Sequence, residues 1–249
     1  MTDAEKRALW TEATVQGRSG ASNIGYMPAP VPWRFRQKVL DFLKPESRLL
    51  EMEAGDGAFL LALRHPFSLT SLTVSDAAAL DTCERRLAPL GVTVRQSTDG
   101  VTLPFADASF DLVLNRCAAY DIGAVRRVLQ PGGYCILEQV GGSDGLSLRR
   151  FLGLPAASRP DFNLENEIPR FQRAGFSINY KDQCYGTARF ADVAAFVRYA
   201  AANPRQFPAF SVDACFPQLL RLDALCARQG YLPYTQHRFC WIARKRKDG

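Results

Sequence analysis

A stretch of thirteen residues, 49–61, constrains the fold more than any other part of this sequence. An apolar run ends at the carboxylate of Glu51, a short turn contains Gly55 and Gly57, and a second apolar run begins at Ala58. This order is typical of a strand, a glycine turn and a helix in an α/β protein. Such a turn presents backbone N–H groups and the positive end of a helix dipole at the carboxyl edge of a sheet. We therefore expect the polar part of a ligand to bind there.

The spacing of the glycines separates two kinds of ligand. A dinucleotide fingerprint needs the pattern G-x-G-x-x-G so that the backbone can approach a pyrophosphate. Here Gly55 and Gly57 are followed by Leu60, so the third glycine is absent. The turn therefore favours a nucleoside without phosphates over a nicotinamide dinucleotide, and a nicotinamide-dependent reductase is kept as an alternative.

The rest of the sequence alternates between the two periodicities that a layered α/β fold requires. Segments with apolar residues at helical spacing take turns with short strand-like runs, in which the residues are either all apolar or apolar at every second position. This order predicts a doubly wound sheet with helices on both faces. After the first strand, the predicted strands are 71–74, 92–96, 111–114, 134–140, 176–180 and 236–243. The predicted helices are 4–14, 33–43, 78–88, 122–129, 166–174, 189–202 and 215–229.

A second carboxylate follows the second predicted strand. Asp76 lies nineteen residues beyond Gly57, about the interval at which an acidic side chain can accept hydrogen bonds from the hydroxyls of a ribose. Asp is also a good N-cap, and a helix is predicted to begin at Ala77 or Ala78. Ribose binding and helix capping both remain open for Asp76.

Three motifs resemble the class I S-adenosylmethionine-dependent methyltransferases, in particular their methyltransferase type 11 branch. The first is an acidic residue followed by x-G-x-G-x-G, which corresponds to residues 51–57 with Glu53 in place of the first glycine. The second is L-P-F-x-x-x-S-F-D-x-V at 103–113, and the third is R-x-L-Q-P-G-G-Y at 127–134. The resemblance extends over about residues 39–140. It implies a Rossmann-like, seven-stranded sheet that ends in an antiparallel hairpin carrying a helical insertion.

The resemblance also implies a cofactor, S-adenosyl-L-methionine, and the residues that hold it. Glu53 would lie near the methionine part of the cofactor, where a carboxylate could repel the cofactor's own carboxylate. A non-catalytic binding or regulatory protein is therefore a second interpretation. The predicted cofactor-binding residues are Glu51, Glu53, Ala54, Gly55, Asp56, Gly57, Asp76, Ala77, Thr98, Asp99, Gly100, Asn115 and Arg116.

Similarity to the family predicts three parts of the chain: an N-terminal arm and helix covering the cofactor at 1–44, the cofactor-binding core at 45–140, and the end of the sheet at 141–249. A helical lid over the acceptor is expected at about 185–233, where the aromatic residues either suit a small apolar acceptor or pack as core. After the fourth strand the sequence is N-R-C-A. Relatives of this fold that methylate the amino group of adenine or the amide of glutamine instead have N/D-P-P-Y/F/W, so we expect another small-molecule acceptor.

Catalysis of methyl transfer needs proximity and a dry pocket more than a strong base. His237, at the start of the last predicted strand, is the one candidate proton acceptor that we single out, and a purely structural histidine is the alternative. Seven cysteines lack C-x-x-C spacing, so we expect no metal site.

Composition narrows the class of partner. The net charge of +6 includes a terminal basic run, Arg244 to Lys247, which is typical of a solvated end rather than a nucleic-acid interface. An RNA methyltransferase is retained as an alternative because of that charge. The sequence shows neither the apolar segment of a signal peptide nor a run long enough to span a membrane, so we expect a cytoplasmic protein with no membrane partner.

Overall fold

The computed structural model describes residues 1–18 and 24–247 and divides the chain into two compact units. The strands are β1 Tyr26–Met27, β2 Leu49–Met52, β3 Thr70–Val74, β4 Thr93–Gln96, β5 Phe110–Arg116, β6 Leu129–Val140, β7 Phe176–Phe190 and β8 Leu232–Lys245. The α-helices are α1 Asp3–Arg18, α2 Phe35–Leu40, α3 Ala58–Leu63, α4 Ala77–Arg86, α5 Ile122–Val128, α6 Leu146–Phe151, α7 Leu164–Arg173, α8 Val193–Ala202 and α9 Val212–Gln229.

One unit, here called the sheet unit, comprises residues 32–139, 164–183 and 239–249. Its strands lie in the order β7-β8-β6-β5-β2-β3-β4. The five strands from β6 to β4 are parallel to one another, and all four residues of β2 are buried. Because parallel strands end at the same edge, the loops after β2, β3, β4 and β5 meet there. The predicted doubly wound α/β sheet is confirmed.

The sheet unit ends in antiparallel strands. The amide of Arg246 donates to the carbonyl of Gly175 over 3.0 Å, and the hydroxyl of Ser177 donates to the carbonyl of Arg244 over 3.4 Å. As the residue number rises from 175 to 177, the number of the bonded partner falls from 246 to 244. This is the pattern of an antiparallel pair. The connection between these strands contains α8 and α9, as expected for a hairpin with a helical insertion.

The start of β6 differs from the prediction, which ended a helix at residue 129 and began the strand at residue 134. The strand begins at Leu129, opposite Phe110, and the next pairing of β5 joins Leu112 to Tyr134. The residues between Leu129 and Tyr134 therefore form an irregularity within a longer strand. Gly132 adopts a φ of 84° there, a conformation that glycine takes without steric cost.

The other unit, here called the helical unit, comprises residues 1–31, 140–163 and 184–238. In it β1 pairs antiparallel with β7, Tyr26 opposite Phe190. This two-residue strand makes the number of described strands eight rather than the predicted seven. Its length explains the error, because two residues carry no periodicity.

The core of the helical unit is built from the aromatic residues that were predicted to suit an acceptor. Most are buried against one another, whereas the side chain of Tyr185 is 60% exposed. Edge-on ring pairs such as Phe196 with Phe207, 5.4 Å apart, are typical of a packed interior. The buried members are Phe190, Phe196, Tyr199, Phe207 and Phe216.

The helix predicted from residue 189 begins later. Arg189 and Phe190 belong to β7, and α8 starts at Val193. The carboxylate of Asp192 accepts a hydrogen bond from the amide of Ala195 over 2.7 Å, so Asp192 is the N-cap that fixes this boundary.

Contact between α1 and α8 depends on a glycine. A Cβ at Gly17 would lie 2.1 Å from the backbone carbonyl oxygen of Arg198. Because that atom belongs to a helix backbone, Gly17→Ala forces α1 and α8 apart, and we expect a loss of about 1–3 kcal/mol of stability, the usual cost of overpacking. Urea unfolding would measure it. Val15→Ala, on an exposed position of the same helix, is the control, and equal midpoints for the two variants would contradict the prediction.

None of the helices in the described ranges combines the length and the apolar character that a membrane span needs.

Candidate functional site

The most deeply buried carboxylate at the carboxyl edge of the sheet is that of Glu51. Its side chain is 1% exposed, and one oxygen accepts a hydrogen bond from Nε of Arg116 over 2.8 Å. Arg116 ends β5, the neighbour of β2, and its guanidinium lies 4.0 Å from the ring centre of Phe59 in α3. Two of the predicted site residues, Glu51 and Arg116, are therefore brought together as an ion pair.

The second oxygen of Glu51 is left without a partner. Oε2 is buried and has no hydrogen-bond donor among the described residues. Burial raises the pKa of this carboxyl group, and the adjacent Arg116 acts in the opposite direction. A buried acceptor without a donor is costly unless a ligand supplies one, so Glu51 presents an acceptor suited to a cationic or N–H group.

The glycine turn has two glycines with different roles. Both have a positive φ, 60° at Gly55 and 72° at Gly57. A Cβ at Gly57 would lie 2.3 Å from Cδ1 of buried Leu87, so the absence of a side chain at Gly57 lets the turn pack against Leu87. A Cβ at Gly55 would meet no heavy atom of the described residues within 4 Å. The open space lies at Gly55, and Gly57 has a packing role.

The residues beside these glycines use their polar groups within the turn. The amide of Ala54 donates to the carbonyl of Thr73 over 3.0 Å, which extends the contact between β2 and β3. The carboxylate of Asp56 accepts from the amide of Ala58 over 3.1 Å at the start of α3. A role for either residue in cofactor binding stays a prediction.

Glu53 extends from the turn to the end of β3. It has a φ of 49°, an uncommon conformation for a residue with a side chain. Its Oε2 accepts two hydrogen bonds from Ser75, from the amide over 3.0 Å and from the hydroxyl over 2.6 Å. A Cβ at Gly100 would lie 3.8 Å from the Glu53 carboxylate carbon. The loops after β2, β3 and β4 thus converge on this carboxylate.

Asp76 is the N-cap of α4. Its Oδ1 accepts from the amide of Ala79 over 2.8 Å, and Ala77 is the first residue of the helix. Of the two roles left open by the sequence, the structure shows capping. Ribose binding by Asp76 stays a prediction.

The predicted site residues after β4 form a tight turn. The carboxylate of Asp99 accepts from the amides of Val101 and Thr102 and from the Thr102 hydroxyl, over 2.6–2.9 Å. These hydrogen bonds, the one from the Thr102 amide above all, lower the pKa of Asp99 to about 2. Thr98 is exposed. The Asp99 carboxylate is thus committed to holding this turn.

Asn115 holds the loop after β5. Its side-chain oxygen accepts from the Ala118 amide and from the Gln139 side chain, over 3.2 and 2.7 Å, and its amide group donates to the Ala119 carbonyl over 3.2 Å. The buried side chain is therefore occupied in shaping the loop. Its predicted part in cofactor binding stays a prediction.

His237 belongs to the helical unit, where its ring is buried and stacks on Tyr185 at 4.4 Å. Nδ1 accepts a hydrogen bond from the amide of Ser143 over 3.3 Å. A Cβ at Gly141 would lie 2.0 Å from the same nitrogen, so the ring packs directly on the backbone. This environment is that of a structural histidine, and catalysis by His237 stays a prediction.

Sequence reasoning missed the contacts of three polar residues that shape the sheet unit. Gln139 orients Asn115, Ser75 binds Glu53, and Arg127 donates to the carbonyl oxygens of Leu103 and Phe105 and to Asp107. Arg127 thereby ties the segment that leads into β5 to the end of α5. The position of Ser75 could be predicted. If Asp76 caps the helix, the residue before it lies at the end of the preceding strand.

Comparisons with known proteins relate part of this chain to methyltransferases. Residues 50–137 match the profile of a family described as Methyltransferase domain. A stretch of 99 residues is 35% identical to phthiotriol/phenolphthiotriol dimycocerosates methyltransferase 1 of Mycobacterium ulcerans, and it covers 36% of this chain and 36% of that protein. The match thus spans about a third of the relative's length.

Solved structures resemble the fold over more of the chain. A protein of unknown function from Deinococcus radiodurans superposes with a TM-score of 0.61 at 15% identity, over 94% of this chain and 99% of that one. A candidate sarcosine dimethylglycine methyltransferase from Galdieria sulphuraria superposes with a TM-score of 0.53 at 16% identity, over 86% and 84% of the two chains. At such identities the likeness establishes the fold alone.

Proposed function

We propose, from the match of residues 50–137 to a family described as Methyltransferase domain, that this protein binds S-adenosylmethionine and transfers its methyl group to a small-molecule acceptor. The observation that carries the proposal is the buried, unpartnered Oε2 of Glu51 at the carboxyl edge of the sheet. A carboxylate in that state is suited to an ammonium group, with which it forms a charge-assisted hydrogen bond.

The neighbouring residues fit the same ligand. Gly55 leaves space beside the acidic strand end, and Arg116 holds the Glu51 carboxylate in a fixed orientation through one oxygen only. The ring of Phe59 covers the guanidinium from the other side. When bound, S-adenosylmethionine supplies a methyl group activated by its sulfonium. The chain's part is to hold the cofactor in a fixed orientation, which is the main requirement of such a transfer.

The basic end of the chain supports a small acceptor over RNA. Nζ of Lys245 donates to the carbonyls of Arg126 and Leu129, each over 2.8 Å, and Nε of Arg244 donates to the carbonyl of Gly132 over 3.1 Å. These two cations of the terminal run are used within the sheet unit. Phosphate binding needs a cluster of basic groups free to face the nucleic acid.

Calorimetric titration of the full chain with S-adenosylhomocysteine tests the proposal. We expect saturable binding with a dissociation constant in the micromolar range, which corresponds to the lower end of common KM values. NADPH is the matched control because the missing third glycine should exclude its pyrophosphate. Binding of NADPH without binding of S-adenosylhomocysteine would replace the proposal with a reductase, and RNA binding that weakens steeply with salt would indicate an RNA methyltransferase.

One observation favours a second candidate, a non-catalytic protein with the same fold. The side chain of Glu53 extends from a position where the family has glycine into the edge at which the strand loops converge. If that carboxylate blocks the cofactor, the native chain will not bind S-adenosylhomocysteine, and Glu53→Gly will.

A further inference from the structure

We infer that Glu53 supplies the carboxylate that binds the ribose hydroxyls of the adenosyl group, in place of Asp76. The inference rests on the proposed function and assigns recognition of the sugar to Glu53. It also gives the departure from the glycine pattern a role in binding.

The first argument is the position of the carboxylate. Oε2 of Glu53 is held by the amide and the hydroxyl of Ser75, and Ser75 directly follows β3. The end of this strand is where a ribose-binding carboxylate belongs in a doubly wound sheet. The chain has a serine at that point and brings a carboxylate to it from the neighbouring loop.

The second argument is the unused oxygen. Oε1 of Glu53 is buried and has no hydrogen-bond partner in the described part of the chain. Because both bonds from Ser75 go to Oε2, the carboxylate is fixed while one oxygen stays free to accept. Either of the two ribose hydroxyls can donate the hydrogen bond that this oxygen lacks.

The third argument concerns Asp76. Its Oδ1 is bonded to the Ala79 amide at the first turn of α4, and the residue is exposed. Removal of this cap would cost helix stability, so the carboxylate already has a structural use.

The backbone around Glu53 is shaped for this arrangement. The amide of Glu53 donates to the Thr73 hydroxyl over 3.2 Å, and the residue adopts the left-handed conformation. Such strain in a non-glycine residue persists where the surroundings hold it, often at binding sites. Gly100, with a φ of 72°, keeps the opposite loop free of a side chain near the carboxylate.

The experiment compares two ligands that differ in the sugar alone, S-adenosylhomocysteine and its 2′,3′-dideoxy counterpart, by calorimetry on the full chain. We expect the native protein to prefer the ribose form by about tenfold to a hundredfold, the usual worth of hydrogen bonds to a charged group. Glu53→Ala should remove the preference, and Glu53→Gln should reduce it. Asp76→Asn should keep it, because Asn also caps helices.

Glu84→Gln, on an exposed position of α4, controls for a change of charge near the site, and melting curves control for folding. A ribose preference that survives Glu53→Ala or disappears in Asp76→Asn would overturn the inference, as would tighter binding of S-adenosylhomocysteine by Glu53→Gly. Native binding without any ribose preference would overturn the inference and leave the proposed function standing. A folded native protein that binds neither ligand would remove the proposed function as well.

Discussion

Asp144→Ala is expected to lower the free energy of unfolding by about 3–5 kcal/mol, the cost of removing one member of a buried ion pair. Asp144 is fully buried in the helical unit. Its carboxylate accepts from Arg238, from the hydroxyl of Tyr234, and from the amide of His237 over 2.9 Å. The substitution leaves all three donors without their acceptor in a region that water reaches poorly.

The charge of Asp144 is balanced within this network. Burial raises the pKa of the carboxyl group, while Arg238 and the donated hydrogen bonds oppose that effect. An uncharged side chain that still accepts a hydrogen bond should therefore be tolerated better than a truncated one. We expect Asp144→Asn to lose less stability than Asp144→Ala, which separates the loss of acceptors from the loss of charge.

Urea unfolding followed by circular dichroism measures these losses, and hydrogen exchange on peptides from 140–163 and 184–238 localises them. The control is Asp81→Ala, which breaks an exposed pair with Arg85 and should cost about 0–1 kcal/mol. An Asp144→Ala variant as stable as this control would show that the network contributes little.

The sheet unit could be predicted because its signals are local. The buried strand β2, the glycine turn and the caps each depend on residues close in sequence, so their order and type follow from periodicity and turn chemistry. The predictions of strand ends were weaker. β7 runs to Phe190 and β8 from Leu232, beyond the segments with clear alternation, because pairing between distant residues extends them.

The meeting of predicted residues at one sheet edge could be predicted, but the contacts they make could be predicted only in part. Glu51 and Arg116 come from different strands and meet because β2 and β5 are neighbours, which the order of strands in a doubly wound sheet implies. The use of Asp76 as a cap and the extension of Glu53 to Ser75 depend on backbone conformation. A positive φ at a glutamate has no sequence signature, so this contact could not be anticipated.

In the helical unit, the sequence pattern located the apolar residues but did not settle their role. Its aromatic residues had two possible roles, lining an acceptor or packing as core, and Phe196 and Phe207 form the interior. Sequence pattern records that a side chain is apolar and falls on one helical face. It does not distinguish a face that covers a ligand from one that packs on another helix.

Glu51→Gln is expected to weaken binding of S-adenosylhomocysteine about tenfold to a hundredfold, because a charged acceptor is replaced by a neutral one and hydrogen bonds to charged groups are worth about 1.5–3 kcal/mol. The same variant should be at least as stable as the native protein at neutral pH. The pKa of Glu51 is raised by burial, so folding favours its neutral form. Arg116, whose side chain is 36% exposed, keeps contact with water when its partner loses its charge.

The sign of the pH dependence makes the prediction specific. Below the ordinary pKa of 4.5, Glu51 is protonated in both the folded and the unfolded chain, and the native protein and Glu51→Gln should melt at similar temperatures. As the pH rises through the higher pKa of the folded state, the native protein loses stability relative to the variant. Melting curves from about pH 3.5 to pH 8, beside calorimetry at neutral pH, measure both effects, with Glu84→Gln as control. Weaker binding with a lower melting temperature at neutral pH would mean that Glu51 serves the fold, whereas unchanged binding would remove it from the cofactor site.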